Sequence, residues 1–134
     1  MTTATDPAPA EYPLLSLKAR LYCGGEIAMG PGKADLLEAI AQAGSISGAG
    51  RALGMSYRRT WMLVDTMNRC WQTPLVETAA GGTQGGGAQL TDLGRAVVAQ
   101  YRALERRIAE VAQGEEWDGL RAAMLPRPKQ SQKD

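Results

Sequence analysis

The side chains able to do chemistry are few in this chain and unevenly placed. Its 134 residues include no histidine, and its carboxylates are not clustered, so acid–base catalysis and metal chemistry lack an obvious set of groups. What stands out is a basic run. Ser56, Tyr57, Arg58 and Arg59 open the segment SYRRTWMLVDTMN, whose apolar residues recur at helical spacing. From Arg51 to Arg69 there are four arginines and one acid, Asp65. Arginine matches guanine O6 and N7 with two hydrogen bonds. In the first turn of the second helix of a helix-turn-helix it is placed to reach base edges and phosphates in a major groove. Tyr57 either contacts DNA or packs on Trp61, and Met62 either touches a thymine methyl or is exposed without a role. A glycine-rich stretch, Gly81 to Ala88, follows one strand later. At its tip Thr83, Gln84, Gly85 and Gly86 can offer donors to phosphates.

These glycines do not form a nucleotide loop. A P-loop needs G-x-x-x-x-G-K-[ST], and no lysine or helix start follows Gly87. Gly32-Lys33 fails as well, because Ile27 stands where the first glycine belongs and Ala34 where Ser or Thr is required. Cys23 and Cys70 lie far apart and outside any C-x-x-C. That argues against a zinc site or disulfide scaffold, suits a reducing cytoplasm, and leaves the cysteines as ordinary small hydrophobes. Trp61 and Trp71, at helical spacing, read as structural. The net charge is only +1, so nucleic-acid affinity must come from local clustering.

The elements that position the basic run follow from periodicity. Leu15, Leu17, Ala19, Leu21 and Cys23 alternate with polar residues, which predicts a strand with one buried face. Gly24-Gly25 signals a hairpin turn and Glu26 to Met29 the return strand. Pro31 suits the first turn of a helix that runs from about Lys33 to Ala43, buries Leu36, Leu37, Ile40 and Ala43, and ends at a left-handed Gly44. Ser45 caps a second helix ending near Leu53-Gly54, with Ala49 small for a close helix crossing. Gly48 and Gly50 each cost about 0.8–1 kcal/mol relative to alanine, so alanine at an exposed Gly48 is expected to stabilise. Ser56 caps the basic-headed helix. Its core stripe is Thr60, Val64, Met67 and Trp71, and Arg58, Met62, Asp65 and Arg69 face outward. Leu75-Val76 and Gln89-Leu90 pair across the glycines. Thr91 caps a last long helix reaching about Gln113, in which Leu93, Val97, Tyr101, Leu104, Ile108 and Val111 form a near-heptad seam, read as a dimer interface.

With these pieces laid out, the chain resembles the DNA-binding half of ModE-type regulators, the molybdate-responsive repressors, whose winged helix is related to that of LysR-type regulators. The resemblance rests on GPGKADLLEAI, GSIS, GMSYRRTW, Asn68, PLVE, the GG…GGGA wing and LT…G at Thr91 to Gly94. It implies DNA reading by the basic-headed helix and a link to molybdate uptake or molybdoenzyme genes. Three departures qualify it. No Mop-type strands follow Gln113, so no molybdate site is carried over. Ala49-Gly50 replaces the usual paired alanines. Thr78, Thr83 and Gln84 stand where the family tends to place basic wing residues.

The expectation is therefore an α+β winged helix-turn-helix with an N-terminal β-hairpin and a long C-terminal dimerisation helix. Residues 1–13 would be a disordered leader, 14–113 the DNA-binding domain, 114–125 a short helix and 126–134 a disordered tail. The chain would be a cytoplasmic, non-enzymatic homodimer, without cofactor, that binds double-stranded DNA as a transcriptional regulator. Ser45, Ser47, Ser56, Tyr57, Arg58, Arg59, Met62, Thr83, Gln84, Gly85 and Gly86 would contact the DNA. The alternative is an interaction module that pairs through the last helix with a Mop-domain partner. No span is apolar enough for a membrane, and no secretory signal precedes the domain.

Overall fold

The structure, a computed structural model, describes residues 12–79 and 87–133. It divides into two compact units. One is Lys18–Leu104; the other joins the N-terminal segment through Leu17 with the chain from Glu105 onward. Residues 1–11 of the expected leader and the wing tip, with Thr83, Gln84, Gly85 and Gly86, fall outside the described residues.

Strand β1 (Leu21–Cys23) pairs antiparallel with β2 (Glu26–Met29) around Gly24, whose φ of 59° is the left-handed conformation a tight turn needs. The strand is shorter than the alternation predicts, and its register slips between Leu21 and Tyr22. A bulge interrupts the period of two, and Leu17 and Cys23, expected on a buried face, are exposed. Helix α1 (Pro31–Ala43) begins on Pro31 and ends at Gly44 with φ 73°. It buries Ala34, Leu36, Leu37 and Ile40. Ala43 is exposed, contrary to expectation, because it lies past the last turn that faces the core.

Helix α2 (Ile46–Ala52) and helix α3 (Tyr57–Cys70) are both capped as the sequence predicts. The Ser45 Oγ accepts from the Gly48 N–H at 3.0 Å, and the Ser56 Oγ from the Arg59 N–H at 3.1 Å. Thr60, Val64 and Met67 form the buried stripe of α3. Trp71 lies just beyond the helix, half-buried, its indole N–H donating to the Ala28 carbonyl at 3.2 Å.

Strands β3 (Val76–Ala79) and β4 (Gly87–Leu90) pair antiparallel, from Val76 opposite Leu90 to Ala79 opposite Gly87. Helix α4 (Asp92–Ala109) follows, capped by Thr91, whose Oγ1 accepts from the Gly94 N–H at 3.0 Å. The expected helix to Gln113 ends early, at Ala109. A 3-10 turn takes Glu110–Gln113, and α5 (Glu115–Ala123) comes after it. Met29, Leu36, Leu37, Ile40, Val64, Met67 and Leu75 fill the core. Among the described residues no helix is long and apolar enough to cross a membrane, and no group of His, Cys, Asp and Glu is placed to hold a metal ion.

Candidate nucleic-acid interface

Helix α3 is held near both of its ends. On the inner side it crosses α2 with almost no gap. A Cβ built on Gly50 would sit 2.4 Å from Thr60 Oγ1 and 3.3 Å from Thr60 Cβ. Gly50 is therefore the contact that lets α3 approach α2, a role assigned in advance to the smallness of Ala49. The buried Thr60 hydroxyl donates to the Ser56 carbonyl at 2.7 Å, so no polar group is left unsatisfied at the crossing. Between the helices Gly54 turns the chain at φ 70°, and the Met55 N–H donates to the Gly50 carbonyl at 2.8 Å.

At the far end Asn68 fastens α3 to the wing. Its Oδ1 accepts from the Leu75 N–H at 2.9 Å and the Val76 N–H at 3.1 Å, and its Nδ2 donates to the Val76 carbonyl at 3.0 Å. Asn68 is one of the residues that carry the resemblance, which by itself gives it no structural role. The signal for its role was its position, just before the strand that begins after Pro74. The wing base is held on its other side by the Ala88 N–H, which donates to the Gly44 carbonyl at 2.8 Å. The start of α2, with Ser45 and Ser47, thus lies beside β4. Both serines are half-buried, and the Ser45 hydroxyl is already engaged as a cap.

The outward face of α3 carries Tyr57, Arg58, Arg59, Trp61 and Met62, all exposed. Tyr57 and Trp61 meet edge to face with ring centroids 6.1 Å apart. Trp61, expected to be structural, lies outside the core; its position one turn beyond Tyr57 puts it on the flank. The guanidiniums of Arg58 and Arg59 have no hydrogen-bond or ion-pair partner among the described residues, whereas Arg69 pairs with Asp65 at 2.9 Å and Arg95 with Asp92. A capped helix start with two unpaired arginines, a tyrosine and a methionine can offer donors and apolar contact to a groove, and can do no covalent chemistry.

The seam expected on α4 divides. Val97 and Tyr101 are buried within the Lys18–Leu104 unit, and half-buried Leu93 packs on the same core. The Tyr101 hydroxyl donates to the Ala19 carbonyl at 2.6 Å. Arg102 holds α4 on α1 through Asp35 at 2.6 Å and Glu38 at 2.8 Å. These three seam residues are therefore occupied inside the chain, because the first half of α4 closes its own core. Leu104 and Val111 remain exposed, at 39% and 63%, and Ile108 is half-buried.

Two helices crossing at a glycine, a capped basic helix head and a two-stranded wing define a winged helix-turn-helix. Residues 33–95 match the model of the bacterial regulatory helix-turn-helix proteins of the lysR family, and the chain is similar to proteins named ModE. It is 56% identical over 70 residues to the molybdenum transport protein ModE of Azotobacter vinelandii, a match that covers 52% of this chain and 26% of that protein. It is 42% identical over 95 residues to the molybdenum-pterin-binding protein MopA of Rhodobacter capsulatus, covering 71% and 36%. The DNA-binding transcriptional dual regulator ModE of Escherichia coli K12 is 41% identical over 71 residues, covering 53% and 27%. The chain spans about a quarter to a third of the length of these relatives.

Proposed function

We propose that the chain is a DNA-binding transcriptional regulator that places the first turns of α3 in the major groove of double-stranded DNA and lays the wing on the backbone. The observation that carries this reading is the pair of unpaired arginines, Arg58 and Arg59, on a helix start fixed by the Ser56 cap and the Gly50 crossing. Arginines committed to intramolecular carboxylates could not exchange partners for guanine or phosphate without loss; these two can. Ser56 and Tyr57 stand at the same helix end, Met62 one turn on, and Ser45 and Ser47 beside the wing base. The protein acts as a homodimer on a two-fold operator. Molybdenum-related genes are the regulated class, on the strength of relatives named for molybdenum transport and molybdenum-pterin binding.

Fluorescence anisotropy with duplexes from promoters of molybdenum-transport genes, titrated at several salt concentrations, tests the reading. Sequence-dependent binding whose affinity falls with salt is the expected result. Equal affinity for these duplexes and for scrambled DNA would leave α3 without a reading role, and would favour a module that acts by pairing with a Mop-domain protein.

A further inference from the structure

Arg51, on the helix that precedes α3, is a further cation without a carboxylate. It stands exposed in the last turn of α2, and its guanidinium has no hydrogen-bond or ion-pair partner among the described residues. A cation at that end of a helix usually serves the last carbonyls. Here backbone donors already meet them. The Leu53 N–H donates to the Ala49 carbonyl, the Met55 N–H to that of Gly50 and the Gly54 N–H to that of Arg51. The Arg51 side chain instead lies back along α2. Its Nη2 is 3.8 Å from the point that a Cβ on Gly48 would occupy, and the Ser45 Oγ is 2.8 Å from the same point. Guanidinium and hydroxyl thus flank one glycine. The Ser45 Oγ accepts from the Gly48 N–H, while its own proton has no acceptor among the described residues. This patch adjoins the wing base, since the Gly44 carbonyl accepts from the Ala88 N–H of β4 at 2.8 Å.

We propose that Arg51 and the Ser45 hydroxyl hold one phosphate of the DNA backbone beside the groove that α3 enters. The proposal rests on the DNA-binding reading and adds to it an anchor that carries no sequence information. The guanidinium supplies the charge and a planar set of donors for phosphate oxygens, and the hydroxyl supplies one more donor. Glycine is a poor helix former, but at position 48 it leaves room for a phosphate oxygen between the two groups. Contacts of this kind fix the register and orientation of a protein on the duplex, while contacts to base edges select the sequence. Ser45 is expected in the interface from the sequence. Arg51, six residues on, is brought to it by the fold.

The test is fluorescence anisotropy of the full chain on the promoter and scrambled duplexes across a range of salt. The parent, Arg51→Ala and Arg51→Lys are compared, each with its melting curve. Arg51→Ala should lower the log–log salt slope by about 0.9 for each half-site engaged, and weaken binding about eightfold per contact at about 0.1 M salt. The loss should be equal on the two duplexes and should vanish toward about 1 M salt. Arg51→Lys, which keeps the charge, should keep the slope. The three proteins should melt together. An unchanged slope in Arg51→Ala, beside a parent that prefers promoter DNA, would overturn the phosphate contact and leave the α3 reading standing. A loss confined to promoter DNA would overturn it by making Arg51 a base reader, and a lowered melting midpoint by making the side chain structural. A parent that binds both duplexes alike, with a slope that depends on Arg51, would keep the contact and sink the reading role of α3. A parent that binds neither duplex would sink both.

Discussion

Arg58 and Arg69 lie on the same exposed face of α3, yet only Arg69 has a carboxylate to answer it. That difference makes Arg58 the residue whose removal should be felt by DNA and hardly at all by the fold. Arg58→Ala is expected to weaken operator binding by about 1–3 kcal/mol, with the melting midpoint nearly unchanged. Unaltered affinity at matched salt would remove Arg58 from the interface. The two glycines of α2 separate in the same way. Sequence reasoning expects alanine at Gly48 to stabilise, but a Cβ there would lie 2.8 Å from the capping Ser45 Oγ and 3.1 Å from Ala43 Cβ. A helix-propensity gain of about 0.8–1 kcal/mol is then offset by a disturbed cap worth about 1 kcal/mol. Gly48→Ala should leave the denaturant midpoint unchanged or slightly lower. Gly50→Ala should lower it clearly, since the added methyl meets Thr60 at 2.4 Å. If Gly50→Ala proved as stable as the parent, the close crossing would not be what fixes α3.

At the scale of elements, helices α1 to α3 and the wing strands were legible in the sequence because each has a local signature. Pro31, Gly44, Ser45, Ser56 and Thr91 mark ends by side-chain or backbone chemistry that needs no tertiary partner, and all five stand where expected. The misses share the opposite cause. Alternation from Leu15 to Cys23 has no local feature that reports the register slip after Leu21, so the strand reads too long. The apolar stripe of α4 cannot say whether it faces its own core or another chain, and Val97 and Tyr101 turn out to face their own. The bonds from Asn68 to Leu75 and Val76 are a tertiary fact that spacing cannot show, and they carry a prediction. Asn68→Ala would strip the side-chain acceptor from the N–H groups of two buried residues, Leu75 and Val76, while removing the donor to Val76. Each orphaned buried group costs about 1–3 kcal/mol. The variant should therefore unfold at markedly lower denaturant and bind DNA more weakly, because the wing loses its anchor to α3. A variant with parental stability would show that the wing is held elsewhere.

For the molecule as a whole, two expectations concern small-ligand binding and self-association. An oxyanion site needs several cations or N–H donors converging in a closed pocket. The cavity of about 490 Å³ beside the wing base is lined by Glu77 and by small or neutral residues, and that of about 240 Å³ between β1 and α4 by Leu21, Trp71, Val97, Tyr101 and Leu104 with Gln100. Neither suits molybdate, so isothermal titration of this chain with molybdate should give no saturable heat, and micromolar binding would reveal a site elsewhere. The second expectation is self-association. With Leu93, Val97 and Tyr101 used inside the chain, the apolar side chains left for a partner on this seam are Leu104 and Val111, exposed at 39% and 63%. Ile108 is half-buried, and an acid there would confound folding with association. Leu104→Asp with Val111→Asp is the cleaner pair, because both positions are exposed in the single chain, Val111 more than Leu104, which also borders the cavity between β1 and α4. In a two-fold interface each carboxylate would instead be stripped of water against an apolar surface, which is expensive without a partner charge. Light scattering across a range of concentrations should then show a dimer for the parent and a monomer for the double variant, with the melting curve of the fold retained. Operator affinity should fall with it, since a monomer loses the second half-site that a dimer engages at high effective concentration. A double variant that stays dimeric would place the interface on another surface, such as the exposed apolar residues Leu120, Met124 and Leu125 in and after α5.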